Sequence, residues 1–102
     1  MKLSSKFLIG AVLILGGCAT NPPLNEYTLA RTALEAAKDQ EAARYAPSYF
    51  HQAEENFREA EVQFREHEYR DSEENFIKAR EFAEKAENSA RLQKYKSGEV
   101  TP

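Results

Sequence analysis

Between Asn25 and Ser97 the chain contains no glycine and a single proline, Pro47. A stretch of that length rich in alanine, glutamate and arginine favours helix, and with so few breakers it can turn only where the side-chain pattern forces it to. Tyr27, Ala30, Leu34 and Ala37 recur at steps of three and four, with Leu29, Ala33 and Ala36 widening the stripe, which predicts a first helix over 25–45. Asn25 is the expected N-cap, with Thr28 as a weaker alternative. Pro47 ends that helix, because the residue before a proline avoids the α region, and it suits the first turn of the next one. Ala46-Pro47 is therefore read as a corner between two helices.

Phe50, Ala53, Phe57, Ala60 and Phe64 form the stripe of a second helix, over 47–65. Extended in phase, that stripe would bring His67, Asp71, Glu74 and Lys78 inward. The apolar pattern instead restarts out of phase at Tyr69, Ser72, Phe76, Ala79, Ala83, Ala86 and Ala90. Two stripes out of phase on one continuous helix face opposite ways and cannot share a core. A turn near Glu66–Glu68 and a third helix over 69–94 follow, with one bent helix as the alternative. Aromatics dominate the second stripe and alanines the third, so large side chains are set against small ones that let helices approach closely. Glu54–Arg58, Glu61–Arg65, Glu66–Arg70, Glu74–Lys78, Glu81–Lys85 and Glu87–Arg91 are i,i+4 pairs marking the faces that meet water. The Glu66–Arg70 pair crosses the expected turn and counts mildly against it.

The start of the chain follows different rules. Lys2 and Lys6 precede the uncharged run Phe7–Leu15, about half the ~20 residues that a bilayer-spanning helix needs. Such a run reads as a signal peptide. It ends in Leu15-Gly16-Gly17-Cys18, which resembles the lipobox of bacterial lipoproteins, and Cys18 is the chain's only cysteine. That resemblance implies recognition of Leu15, Gly16 and Gly17 by a signal peptidase and removal of residues 1–17. It also implies acylation of the Cys18 thiol with chains such as palmitate, a covalent lipid in place of any cofactor. Three acyl chains would make a lasting membrane anchor. Ala19, rather than aspartate, follows the cysteine, which implies the outer membrane and its periplasmic face over the inner membrane.

The domain reading is then a signal peptide at 1–17, a lipidated extended linker at 18–24, a helical domain at 25–96 and a flexible tail at 97–102. Asn21-Pro22-Pro23 gives the linker its extended character. The remainder after cleavage is 85 residues, room for one modest core, and loss of Lys2 and Lys6 takes its net charge from −3 to −5. An acidic domain binds polyanions poorly, so nucleic acid is not an expected partner. The expected fold is all-α: a small three-helix bundle, or a helical hairpin of tetratricopeptide-like character over residues 49–82. No 34-residue duplication is visible, so a stacked array is not expected.

Cys18-Ala19 with Pro22-Pro23, the Ala/Leu-rich first helix, Arg44-Tyr45-Ala46-Pro47, Tyr49-Phe50, Ala53, Ala60 and Glu68-Tyr69 together resemble the bacterial lipoproteins of the domain-of-unknown-function 4398 group. Ser72 stands where that group often places alanine. The resemblance implies an envelope lipoprotein with a helical domain.

Chemistry-bearing residues are sparse. His51 lies near Glu54 and Glu55, and His67 near Glu66 and Glu68. A zinc-protease helix needs a second histidine four residues from the first, and a di-iron bundle needs Glu-x-x-His twice; Ser48 and Phe64 occupy the positions three before the histidines. Neither an enzyme, a metal site nor a small-molecule substrate is expected. The expected function is a lipid-tethered interaction or scaffold module for another envelope protein or for itself, with Tyr45, Tyr49, Phe82 and Tyr95 lying off or beside the main stripes. The alternative is a homo-oligomeric spacer resembling the murein lipoprotein, though the heptads here break twice. A small envelope toxin ranks last.

Overall fold

The computed structural model describes residues 21–98. Helix α1 spans Leu24–Asp39, α2 Ala42–Tyr45, α3 Pro47–Arg65 and α4 Tyr69–Lys96. The architecture is the small all-α bundle that the periodicity predicts, but its first helix differs in two respects.

First, α1 opens at Leu24 and not at an Asn25 cap: Pro23 holds the N-cap position with φ −80°, and its carbonyl accepts from the Tyr27 N–H at 3.0 Å. A proline ring supplies a preset φ, so the helix starts as soon as the Pro-Pro pair ends. Thr28, the other candidate cap, sits inside the first turns and donates its hydroxyl to the Leu24 carbonyl at 3.0 Å.

Second, the single helix expected over 25–45 is divided. α1 stops at Asp39, Glu41 adopts φ 58° and ψ 41°, and α2 follows as one short turn. The cause lies in the side-chain phase. Continued without a break, the buried row Ala30, Leu34, Ala37 would carry Glu41 and Arg44 inward. The left-handed residue rotates the chain so that Ala42 and Ala46 are buried instead, at 0% and 6% exposure. Glu41 remains outside, where its carboxylate meets Lys94 Nζ at 3.3 Å. Ala46, at φ −143°, then makes the corner before Pro47 starts α3.

The turn between α3 and α4 falls at residues 66–68 and closes as a Schellman motif. The Glu68 N–H donates to the Gln63 carbonyl at 2.8 Å and the His67 N–H to the Phe64 carbonyl at 3.1 Å. His67 holds the left-handed position of that motif, φ 64°, where glycine is usual. The αL conformation costs an L-residue roughly 1–2 kcal/mol, partly offset by glycine's greater freedom in the unfolded chain. His67→Gly is therefore expected to stabilise the domain by up to about 1 kcal/mol and to raise Tm by a few degrees in thermal denaturation. Glu41→Gly, which also loses the Lys94 contact, is expected to gain less.

Packing sets the directions of the helices. Around Phe76, the buried residues Ala30, Ala60 and Ala79 join Tyr27, Phe57 and Phe64. Toward the corner, Leu34 and Ala37 of α1 meet Phe50 and Ala53 of α3 and Ala83, Ala86 and Ala90 of α4. Hence α1 runs parallel to α4, and α3 runs antiparallel to both. On α4, the longest helix at 28 residues, Ser72, Phe76, Ala79, Ala83, Ala86 and Ala90 are all fully buried. This is the predicted stripe, and it is the surface on which both α1 and α3 pack; α1 and α3 touch each other little.

Two polar contacts pin the α3–α4 register. The Ser72 hydroxyl donates to the Ala60 carbonyl at 2.8 Å, and Asn75 Nδ2 donates to Gln63 Oε1 at 2.8 Å. Ser72 is completely buried, so this bond satisfies a hydroxyl that would otherwise lack a partner. In Ser72→Ala both the hydroxyl and its need for a partner disappear, while the Ala60 carbonyl keeps its helical donor. The expected stability change by chemical denaturation is within about 1 kcal/mol. On the outer faces the Glu87–Arg91 pair is formed at 2.7 Å, and Arg31–Glu35 and Arg80–Glu84 close in the reverse order at 3.4 and 3.2 Å.

Candidate functional site

Leu15, Gly16, Gly17 and Cys18, on which the lipid-anchor reading rests, lie outside the described residues, as do residues 99–102 of the expected tail. The two histidines occupy the surface. His51 Nε2 meets Glu55 Oε1 at 3.0 Å on the outside of α3, and both side chains are more than half exposed. The His67 ring, in the turn, lies 5.5 Å from that of Tyr69. They sit apart on the outside of α3 and in the turn, and no group of three or more His, Cys, Asp or Glu among the described residues could hold a metal ion. No helix among the described residues is long and apolar enough to cross a membrane.

The concave feature follows from how the helices stack. Because α1 and α3 each rest on α4 more than on one another, a groove runs between them. Its middle section, about 450 Å³, has Arg31, Glu35 and Lys38 along the α1 wall and Glu54, Arg58 and Glu61 along the α3 wall, with Tyr27, Leu34 and Phe57 below. A second section of about 300 Å³ continues past Tyr27 and Glu61 and is lined by Leu24, Phe64, Arg65 and Phe76.

The floor is rigid. Tyr27 stacks on Phe57 with ring centres 5.7 Å apart, and both meet Phe76 edge-on at 5.4 Å. Three rings from three helices thus tie the floor of the groove together, each pair adding roughly 0.5–1.5 kcal/mol beyond area burial. The rim is charged but balanced: Arg31, Lys38 and Arg58 face Glu35, Glu54 and Glu61. Arg31 donates from Nη1 to the Tyr27 hydroxyl at 3.5 Å and pairs through Nε with Glu35 at 3.4 Å. The Tyr27 contact first, and the Glu35 carboxylate second, hold its pKa above the ordinary arginine value.

None of the groove's wall residues stands out in the sequence. Glu54, Arg58 and Glu61 read there as solvated faces, Arg31, Glu35 and Lys38 carry no reading at all, and only the gap between α1 and α3 makes the two walls neighbours. Phe57, Tyr27 and Phe76 were legible as core positions, yet Phe57 and Tyr27 are only partly buried because the groove exposes one side of each. Tyr49 and Phe82, beside the main stripes, pair with each other across α3 and α4 at 6.5 Å. Tyr45 packs against the corner core, and Tyr95 is 55% exposed near the end of α4.

The site is thus a groove with an apolar floor and mixed charges on both walls, carried on a small all-α bundle. The chain belongs to the family described as Domain of unknown function (DUF4398), whose model matches residues 25–99. No curated protein and no solved structure matches the chain.

Proposed function

We propose that the chain is a bacterial envelope lipoprotein, anchored through Cys18 to the outer membrane, whose periplasmic helical domain is a non-catalytic interaction module for another envelope protein. The groove between α1 and α3 carries this reading. A site of several hundred cubic ångströms, open along its length and walled by one helix on each side, fits an amphipathic helix better than a compact small molecule. Its balanced rim favours a partner bearing both charge signs and offers nothing to a polyanion. The lipobox resemblance at Leu15–Cys18 supports the anchor, and the scarcity of nucleophile–base arrangements in the sequence supports a role without catalysis.

A photo-crosslinking amino acid at Arg58, inside the groove, and another at Glu81, on the exposed side of α4, test the module in living cells. Adducts to a different envelope protein from position 58 and not from 81 are the expected result. Adducts confined to the chain itself would replace the module with a homo-oligomeric spacer, and equal labelling from both positions would remove the groove as the site.

A further inference from the structure

The chain enters the bundle at one particular end. Leu24, the first residue of α1, lines the groove beside Phe64 and Arg65 of the last turn of α3. Phe64 in turn packs against Tyr69, the first residue of α4, with ring centres 5.6 Å apart. The start of α1 and the α3–α4 turn therefore share one pole of the bundle. The opposite pole holds α2 and the end of α4, joined by the Glu41–Lys94 contact at 3.3 Å.

Only this first pole can lie close to the anchor. Leu24 is six residues further along the chain than Cys18, and at ~3.3–3.6 Å per residue those six steps reach about 20 Å when fully extended. The α4 helix, at 1.5 Å per residue, is about 42 Å long. The tether is too short to carry the far pole back to the membrane while the bundle stands upright. The near pole also has the surface for such contact. Leu24 is 60% exposed, Phe64 and Tyr69 are partly exposed, and the groove section that opens here is bounded mainly by Leu24, Tyr27, Phe64 and Phe76. Tyrosines and apolar side chains so placed suit the boundary between headgroups and acyl chains.

We infer that this pole docks on the lipid surface, with Leu24 and Phe64 entering the acyl boundary and the apolar end of the groove receiving hydrocarbon. The inference rests on the lipid-anchor reading and adds an orientation to it. Glu61 and Arg65, one of each sign, flank the apolar section, and the turn beside it adds exposed Glu66, Glu68 and Asp71 against Arg70, so the pole is net acidic and its contact draws on apolar insertion, not on anionic lipid. The tether keeps the pole at high local concentration over the bilayer, so a weak contact is enough. The charged middle of the groove then faces away from the membrane, available to a protein.

The chain has no tryptophan, so a single introduced one reports its own surroundings. Leu24→Trp, Phe64→Trp and Leu92→Trp, each in the full chain, would be reconstituted into vesicles of phosphatidylethanolamine and phosphatidylglycerol containing brominated phosphatidylcholine. Leu24 and Leu92 are both surface positions, at 60% and 51% exposure, and Phe64 repeats the reading from a second helix. Emission from positions 24 and 64 is expected to shift to the blue and to lose most of its intensity to the bromine, while position 92 stays water-exposed and unquenched. Unquenched emission at 24 and 64, or equal quenching at all three, overturns the orientation. Fatty-acid labelling of the same preparations separates the two ideas. A labelled chain with unquenched near-pole tryptophans sinks the orientation and leaves the lipoprotein, whereas an unlabelled chain sinks the lipoprotein and leaves the orientation to the quenching result.

Discussion

Phe76→Ala is expected to remove about half of the domain's stability or more. Phe76 is fully buried, and its ring meets both Tyr27 of α1 and Phe57 of α3, at 5.4 Å in each case. Truncating a buried phenylalanine costs roughly 3–5 kcal/mol through lost transfer energy and the cavity left behind. A domain of this size has about 5–10 kcal/mol in all. Ala30, Ala60 and Ala79 around it, held by three separate helices, have no side chain to reorient into the space, which leaves only the Tyr27, Phe57 and Phe64 rings to relax toward it. Thermal melting followed by helical circular dichroism should show a loss of the folded baseline or a large drop in Tm. Tyr49→Ala is the comparison: Tyr49 is 40% exposed and its ring stands 6.5 Å from Phe82, so about 1 kcal/mol or less is expected. Equal effects from the two substitutions would mean that the aromatic cluster is not the centre of the core.

Cys18→Ala is expected to abolish fatty-acid incorporation and to release the chain from the membrane fraction, with the helical signal unchanged. Acyl transfer needs the thiol, and alanine has none. One acyl chain binds membranes marginally and three bind lastingly, so the change in partitioning is close to all-or-none. The helices are indifferent to it because α1 starts at Leu24, after the prolines, and among the described residues no packed residue of the core precedes Pro23. Persistent labelling in the variant would refute lipidation at this residue.

How much of the fold the sequence carries depends on whether a break leaves a mark. The turn at 66–68 was visible without any glycine, because the stripes on either side are out of phase over many residues. The Pro47 corner was visible because proline is a direct backbone constraint. The break at Gln40–Glu41 has the same origin as the first of these. It was hidden because only Ala42 and Ala46 report the new phase before the proline intervenes. A left-handed glutamate is unfavourable locally, so nothing near it announces the turn. It persists because it buries those two alanines and brings Glu41 to Lys94, more than fifty residues away in the chain.

The candidate site divides in the same way. Hydrophobic periodicity alone determined that the described chain is helical, which residues face inward on α3 and α4, and that Phe57 and Phe76 belong to the core. The resemblance of Leu15–Cys18 to a lipobox, a separate signal, singled out Cys18 as the residue with a chemical role to test. Only the tertiary structure decided that α1 lies parallel to α4, that α1 and α3 share α4 and leave a groove between them, and that the chain enters at the pole of the α3–α4 turn. The physical reason is that a stripe records which face of a helix is removed from water, a property of one helix. Which neighbour covers that face, and where two neighbours fail to meet, depends on contacts between residues far apart in the chain.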